Sequence, residues 1–204
     1  MGSAKTGLVL MILANLLVSE AWCSSPGTVS ESAGSQSLNI YLVDVPFMFA
    51  AQGKGVATRL FKNIDINLYW HTGRRLAKDA PWAIEVRTGS APPAASGHAL
   101  AASFLPARLI TIYLDRIREN RDPSVDLVLF GHVLAHEIGH VLKGESHHSP
   151  DGILKQAWTP GDYSDMLAGK LAFTAEDVRL IRLSPLLRTT VLSAAFQPGN
   201  KMLP

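Results

Sequence analysis

Cysteine is almost absent from this chain of 204 residues, which contains only Cys23. A single thiol cannot form a disulfide within the chain, even in an exported protein. It also excludes zinc sites that use several cysteine ligands, because no second thiolate is available. A metal site in this chain would therefore have to use histidine and carboxylate side chains.

The sequence also lacks an excess of charge of either sign. Its 19 Lys and Arg residues nearly balance 17 Asp and Glu residues, which gives a formal net charge of +2. This value is too small to indicate a nucleic acid or an anionic membrane as a partner. Hydrophobic residues make up 47% of the chain, which is enough for the core of one main domain.

The N-terminal segment has the composition of a signal peptide. The basic residue Lys5 precedes an apolar run at residues 8–18, which is shorter than the roughly 20 residues that a membrane-spanning helix needs. Small residues just before Cys23 offer cleavage sites, and residues 24–37 form a small, polar linker. We expect residues 1–23 to be removed on export, giving a secreted or periplasmic protein without stable membrane association.

The pattern of apolar residues predicts an α+β domain over residues 38–196, with a frayed tail at residues 197–204. Alternating apolar positions indicate strands, and apolar positions at helical spacing indicate helices. The predicted strands are 38–42, 64–70, 82–86 and 108–114, the predicted helical segments are 52–62, 115–120, 125–143 and one opening at Thr174, and the predicted loops include 89–102 and 159–163. This order suits a small twisted mixed sheet backed by helices.

The pentapeptide HEIGH at residues 136–140 carries the strongest chemical signal. Residues four apart lie on one face of a helix, so His136 and His140 can direct two imidazoles at one cation, with Glu137 beside them. This is the HExxH arrangement, in which two zinc ligands accompany a carboxylate that can take a proton from water at the metal. The preceding segment, 125–135, is apolar at helical spacing, which predicts a buried helix.

The boundaries of that helix are also marked in the sequence. Residues 122–124 (Asp-Pro-Ser) provide a start signal, and Gly144 lies where a helix commonly ends. Without a metal, this apolar helix would have to supply partners for three buried polar side chains, which favours a metal site. His132 is one turn earlier, and three histidines over two turns span about 12 Å, too far for one ion. We expect His132 to be a core residue or one lying behind the ligands.

The helix does not fix the third ligand, which a catalytic zinc ion usually takes from the protein while leaving a position for water. The His and carboxylate candidates are His147, His148, Glu145, Asp162, Asp165 and Glu176. His98 belongs to the predicted loop 89–102, and we expect it to be exposed to solvent. We expect Tyr113 to be a core residue.

The extended pattern resembles the metzincin metallopeptidases, whose form is H-E-x-x-H-x-x-G-x-x-H. Here the glycine falls one position later and the histidine one or two positions later. The pattern is more similar to small bacterial secreted proteins with H-E-I-G-H-x-L-x-G-x-x-x-H-S-x-x-G-I-M, matched after the pentapeptide by Gly144, His148, Ser149, Gly152 and Ile153. This alignment favours His148 over His147, and it places Leu154 where the family has a methionine beneath the metal.

The resemblance implies a zincin-like fold and a secreted, zinc-dependent metalloendopeptidase. The zinc ligands would be His136, His140 and His148, and Glu137 would be the general base. The substrate would be a peptide or protein, bound as an added strand along a sheet edge above the active-site helix.

Other interpretations stay open at this point. A zincin could use a carboxylate, Asp162 or Asp165, as its third ligand. A secreted binding or inhibitory module could hold structural zinc, in which case a fourth protein ligand would close the site, for example through both His147 and His148. A plain α+β adhesion domain would hold no metal. For the enzyme, Tyr163 and His147 are candidates for stabilising the oxyanion.

Overall fold

The computed structural model describes residues 36–95, 97, 99–120 and 122–187. The predicted signal peptide, Cys23, most of the predicted linker, His98 and the predicted tail lie outside the described residues. The last two residues of the predicted linker, 36 and 37, belong instead to the first strand.

The described residues contain a five-stranded mixed sheet with the strand order β2-β1-β3-β5-β4. The strands are β1 (Gln36–Val43), β2 (Ile66–Thr72), β3 (Ala83–Gly89), β4 (Ala101–Phe104) and β5 (Leu109–Tyr113). The first three strands and β5 pair in parallel, whereas β4 runs antiparallel to β5. β4 is therefore an edge strand of this sheet.

Two long helices cover the sheet. The helices are α1 (Phe47–Lys62), α2 (Leu114–Ile117), α3 (Pro123–Lys143), α4 (Pro160–Leu167) and α5 (Ala175–Arg182). Tight helical turns occur at Ala77–Trp82, Leu105–Ala107 and Arg118–Asn120. Helices α1 and α3 pack against each other and share one hydrophobic core with the inward-facing residues of the sheet. This arrangement confirms the predicted α+β class, with a small mixed sheet backed by helices.

Helix α3 begins and ends where its sequence signals predict. The side chain of Asp122 accepts a hydrogen bond from the backbone N–H of Ser124, and Pro123 occupies the first turn. The helix ends at Gly144, whose φ of 73° is accessible to glycine without a steric penalty. Although α3 is long and apolar enough to cross a membrane, 83% of that apolar window is buried inside the domain. It is the core helix of this fold.

Three local predictions were wrong. Helix α1 begins at Phe47 rather than near residue 52, directly after Pro46, whose backbone φ is −57°. The predicted loop 89–102 ends in strand β4, which exists because it pairs with β5. The predicted loop 159–163 contains the start of α4, because Thr159 and Asp162 form a reciprocal capping box.

Candidate metal centre

His136, Glu137 and His140 lie on the buried side of α3, within an uninterrupted run of buried residues. The exposed fractions of the three residues are 8%, 7% and 3%. Buried imidazoles and carboxylates are costly unless each polar atom has a partner. The partners of these side chains therefore define what the site can do.

Each helical histidine is oriented by a backbone carbonyl. Nδ1 of His136 lies 2.7 Å from the carbonyl oxygen of Ile153, and Nδ1 of His140 lies 3.0 Å from that of Glu145. A carbonyl oxygen can only accept a hydrogen bond, so Nδ1 carries the proton in both rings. In a neutral imidazole the other nitrogen, Nε2, is then a free acceptor. Such carbonyl contacts commonly orient metal-binding histidines.

The two Nε2 atoms lie 3.0 Å apart. Because neither carries a proton in the neutral rings, two lone pairs face each other, and this contact is unfavourable on its own. A zinc ion bound to both nitrogens at about 2.0–2.1 Å with tetrahedral angles would separate them by about 3.3–3.4 Å. The observed separation is close to that value, so the pair fits a zinc ion.

His148 joins the pair from outside the helix. Its ring centroid lies 5.3 Å from that of His136 and 4.8 Å from that of His140. One ligand atom from each of the three histidines lies within 4.8 Å of the others. The chain reaches this position after the left-handed residue Gly144 ends the helix and redirects the backbone. The three imidazoles that the sequence singles out thus converge in space.

All three imidazoles are held in the neutral form that binds metals. Burial, and to a lesser extent the neighbouring His140, lowers the pKa of His136 to about 3. Burial also lowers the pKa of His140 to about 4. The pKa of His148 falls as well, through burial and then through the nearby His147. At neutral pH a metal ion therefore does not have to displace protons from this site.

Glu137 lines the same cleft as the three histidines and has a different electrostatic environment. Burial raises its pKa to about 7, against the opposing effect of a hydrogen bond from the Ser103 side chain. Ser103 belongs to the edge strand β4, so the sheet contacts the carboxylate directly. A carboxylate with a pKa near the working pH is suited to accept and release a proton.

The site opens into a cleft of about 710 Å³. The edge strand β4 forms one wall, through residues 101–103, and Trp158 and Tyr163 contribute to the lining. The cleft is also lined by Leu129 and Val133, which lie earlier on α3 than the helical histidines. A volume of this size accommodates several side chains of an extended peptide.

Leu154, the residue that the resemblance places beneath the metal, is fully buried, and its Cδ2 atom would lie 2.8 Å from a β-carbon placed on Gly139. Gly139 therefore allows Leu154 to approach α3 closely. The Trp158 ring meets the His136 ring edge to face at 5.6 Å, which further limits the movement of that imidazole.

Most of the other ligand candidates are engaged elsewhere. Asp162 accepts a hydrogen bond from Lys155 at 2.8 Å and caps α4. Glu176 is exposed and paired with Arg179. Glu145 is exposed and forms an ion pair with the Lys143 ammonium, although its carbonyl oxygen orients His140.

The remaining candidates do not belong to the cluster either. Asp165 and His147 are exposed. His132 is fully buried and its Nδ1 donates to the carbonyl of Val128 at 2.9 Å, as expected for a core residue. Tyr113 is buried, also as predicted, whereas Tyr163 lines the cleft. Among the described residues, the only group that could ligate a metal is the trio of His136, His140 and His148.

Sequence reasoning missed two residues of this site. Ser103 contacts Glu137, and Asp177 is buried behind the segment that carries His148. Only Asp177 had a sequence signal, since Thr174 and Asp177 have the spacing of a capping box. That signal predicted a helix start and gave no indication of contact with the histidine segment.

In comparisons with known proteins, no family model and no curated protein matches the sequence. Among solved structures, the chain is similar to archaemetzincin from Methanopyrus kandleri, with a TM-score of 0.48 and 14% identity over 73% of this chain and 95% of that chain. It is also similar to myroilysin, with a TM-score of 0.38 and 16% identity over 71% of this chain and 65% of that chain. At this level of similarity, the function has to be argued from the side chains of the site.

Proposed function

We propose that the protein is a zinc-dependent metalloendopeptidase. The observation that supports this most strongly is the pair of carbonyl-oriented imidazoles whose Nε2 atoms face each other at 3.0 Å. A third imidazole and a carboxylate with a raised pKa lie beside them, at the base of a cleft. A buried arrangement of this kind is unfavourable until a cation occupies it.

The residues would act as follows. His136, His140 and His148 would hold the ion, and their backbone partners would keep the Nε2 atoms pointing at it. When bound, zinc supplies a Lewis acid that makes a water molecule more acidic and polarises a peptide carbonyl. Glu137 would take the proton from that water as it attacks the carbonyl and would then deliver it to the leaving amine.

A peptide substrate would bind along β4. Within the described residues, β4 pairs only with β5, on its other side, so its outer edge presents backbone donors and acceptors towards the cleft. An extended peptide can satisfy these groups as an added strand. The Ser103 hydroxyl, on the same strand, contacts Glu137. This arrangement would bring a bound peptide bond close to the general base.

Two variants test the mechanism. We expect Glu137→Ala to keep one zinc ion per chain and to lose activity on casein or peptides by about 10²–10⁴-fold, because the general base is removed. We expect His140→Ala to lose the metal. Metal content is measured by elemental analysis and activity by release of labelled peptides. Glu176→Ala, at an exposed site on α5, is the matched control and should behave as wild type. A Glu137→Ala protein that cleaves as fast as wild type would contradict the mechanism.

A structural zinc site is the competing interpretation. Such a site needs four protein ligands, and the cluster in the described part of the chain supplies three. Three ligands that face an open cleft favour a catalytic site instead.

We also propose that residues 1–23 direct export, so that the domain acts outside the cytoplasm.

A further inference from the structure

Asp177 has a buried carboxylate next to the metal centre. The residue has no exposed surface, although it lies in the first turn of α5, where an acidic residue would normally be solvated. Its Oδ2 atom accepts a hydrogen bond from the backbone N–H of Thr174 at 3.3 Å, which completes the capping box of α5, and a second one from the Thr174 hydroxyl at 2.8 Å. Capping alone would leave the second oxygen, Oδ1, free to point to solvent.

Oδ1 is instead turned towards the segment that carries the third ligand. It accepts a hydrogen bond from the hydroxyl of Ser149, the residue directly after His148. It also lies 3.5 Å from the ammonium group of Lys143, whose side chain is 2% exposed. One carboxylate therefore joins the start of α5, the last turn of α3 and the segment of His148.

His148 depends on such an anchor more than the other two ligands do. His136 and His140 are fixed by the helix backbone and by carbonyl partners. His148 follows residues 144–147, which are exposed and belong to no helix or strand. On its other side the segment is held at Ser149, whose N–H donates to the carbonyl of Leu154 at 2.8 Å. The side chain of Ser149 is then fixed by Asp177.

We propose that Asp177 is a positioning residue of the metal centre, which holds His148 in reach of the metal through the hydroxyl of Ser149. The inference rests on the proposed function, because the ion is the one that the peptidase would use. Partners behind metal ligands typically contribute about 10- to 100-fold to metal affinity. The effect should therefore appear in zinc affinity, independently of any catalytic assay.

Ser149→Ala is the variant of choice, because it removes the link to His148 and leaves the Asp177–Lys143 pair in place. Asp177→Asn would leave the buried Lys143 ammonium with only the exposed carboxylate of Glu145 as an ion-pair partner and would destabilise the fold. The zinc dissociation constant is measured by competition with a chromogenic chelator, and folding is checked by circular dichroism. We expect Ser149→Ala to bind zinc about 10- to 100-fold more weakly than wild type. Ser164→Ala, a matched change on the exposed face of α4, should leave the affinity unchanged.

A double-mutant cycle separates positioning from a general structural effect. If Ser149 acts through His148, adding Ser149→Ala to His148→Ala should cause no further loss of zinc affinity. Ser149→Thr, which keeps the hydroxyl, should restore most of the affinity. The visible spectrum of the cobalt-loaded protein gives a second readout, since a loosened His148 should reduce the intensity typical of tetrahedral coordination.

Three results would overturn the proposal. The zinc affinity of Ser149→Ala could lie within twofold of wild type, or Ser149→Ala could weaken zinc binding equally in the wild-type and His148→Ala backgrounds. The third is a wild-type protein that does not bind zinc. Failure of the proposed function looks different. In that case the zinc-loaded wild-type protein would cleave no peptide, while the pattern of affinities among the Ser149 and His148 variants would stand.

Discussion

Gly131 lies where α3, the helix that carries His136 and His140, meets α1. A β-carbon at this position would lie 2.5 Å from Cβ of Val56 and 2.9 Å and 3.0 Å from its two methyl carbons. Cβ is bonded directly to the backbone, so no change of rotamer moves it away. Gly131→Ala therefore forces the two helices apart. Gly55 on α1 provides the matched control, because a β-carbon there meets no atom within 4 Å.

Comparing the two variants isolates the effect of packing. Both changes replace glycine within a helix, and alanine is favoured there by about 1 kcal/mol. Overpacking a core contact typically destabilises by about 1–3 kcal/mol. We therefore expect Gly55→Ala to raise the free energy of unfolding by about 1 kcal/mol, and Gly131→Ala to leave it about 1–3 kcal/mol below that of the Gly55 variant.

The measurement is urea denaturation of the metal-free protein, because a bound ion would add its own contribution to stability. In thermal melts, the same difference corresponds to about 2–4 °C for each kcal/mol in a domain of this size. If Gly131→Ala were as stable as Gly55→Ala, the close approach of α1 and α3 at this point would be wrong.

Two further predictions concern titratable groups. Asp162→Ala should lower stability at pH 7 by about 1–2 kcal/mol through loss of the α4 cap, yet leave zinc stoichiometry unchanged. The hydrogen bond from Lys155 lowers the pKa of Asp162 from 3.8 to about 2, so the difference from wild type in urea midpoint should shrink as the pH falls below 3.8. Weaker zinc binding would instead support an aspartate ligand. The metal-free protein should lose stability as the pH falls from 6.5 to 4.5. Folding lowers the pKa values of His136 and His140 from 6.5 to about 3 and 4, so in this range the unfolded chain takes up protons that the folded chain does not. Folding raises the pKa of Glu137 from 4.5 to about 7, so this carboxylate takes up a proton in the folded chain first and opposes the trend. The two histidines outweigh this single group. A urea midpoint that rises on acidification would contradict this sign.

The features that could be predicted from the sequence are those encoded by neighbouring residues. Helix α3 follows from its apolar spacing, from the cap at Asp122 and from the glycine at 144, all of which lie within the helix or next to it. The relative position of His136 and His140 could be predicted for the same reason, because a single helical turn fixes it. The sequence pattern also indicated His148 rather than His147, and the structure places His148 beside the other two imidazoles and leaves His147 exposed.

The features that could not be predicted depend on contacts between distant segments. Residues 101–103 (Ala-Ala-Ser) have little intrinsic preference for a strand, and they form β4 because β5 offers them a pairing edge. The hydrogen bond between Ser149 and Asp177 joins residues 28 positions apart. Helix α4 is a different case, since its capping box was visible in the sequence at Thr159 and Asp162. The residues Pro160 and Gly161 suggested a loop, although proline is favoured in the first turn of a helix.

The electrostatics of the metal-free site connect the fold to the proposed chemistry. The folded chain buries two imidazoles with their lone pairs facing each other and a carboxylate with a pKa of about 7. Each of these features destabilises the metal-free protein, and the fold retains them because α3 is fixed by packing along both α1 and the sheet. A divalent ion would turn the facing lone pairs into two bonds, and its positive charge would favour the ionised form of Glu137. The same ion that would supply the chemistry would therefore also stabilise the fold that packing alone holds together.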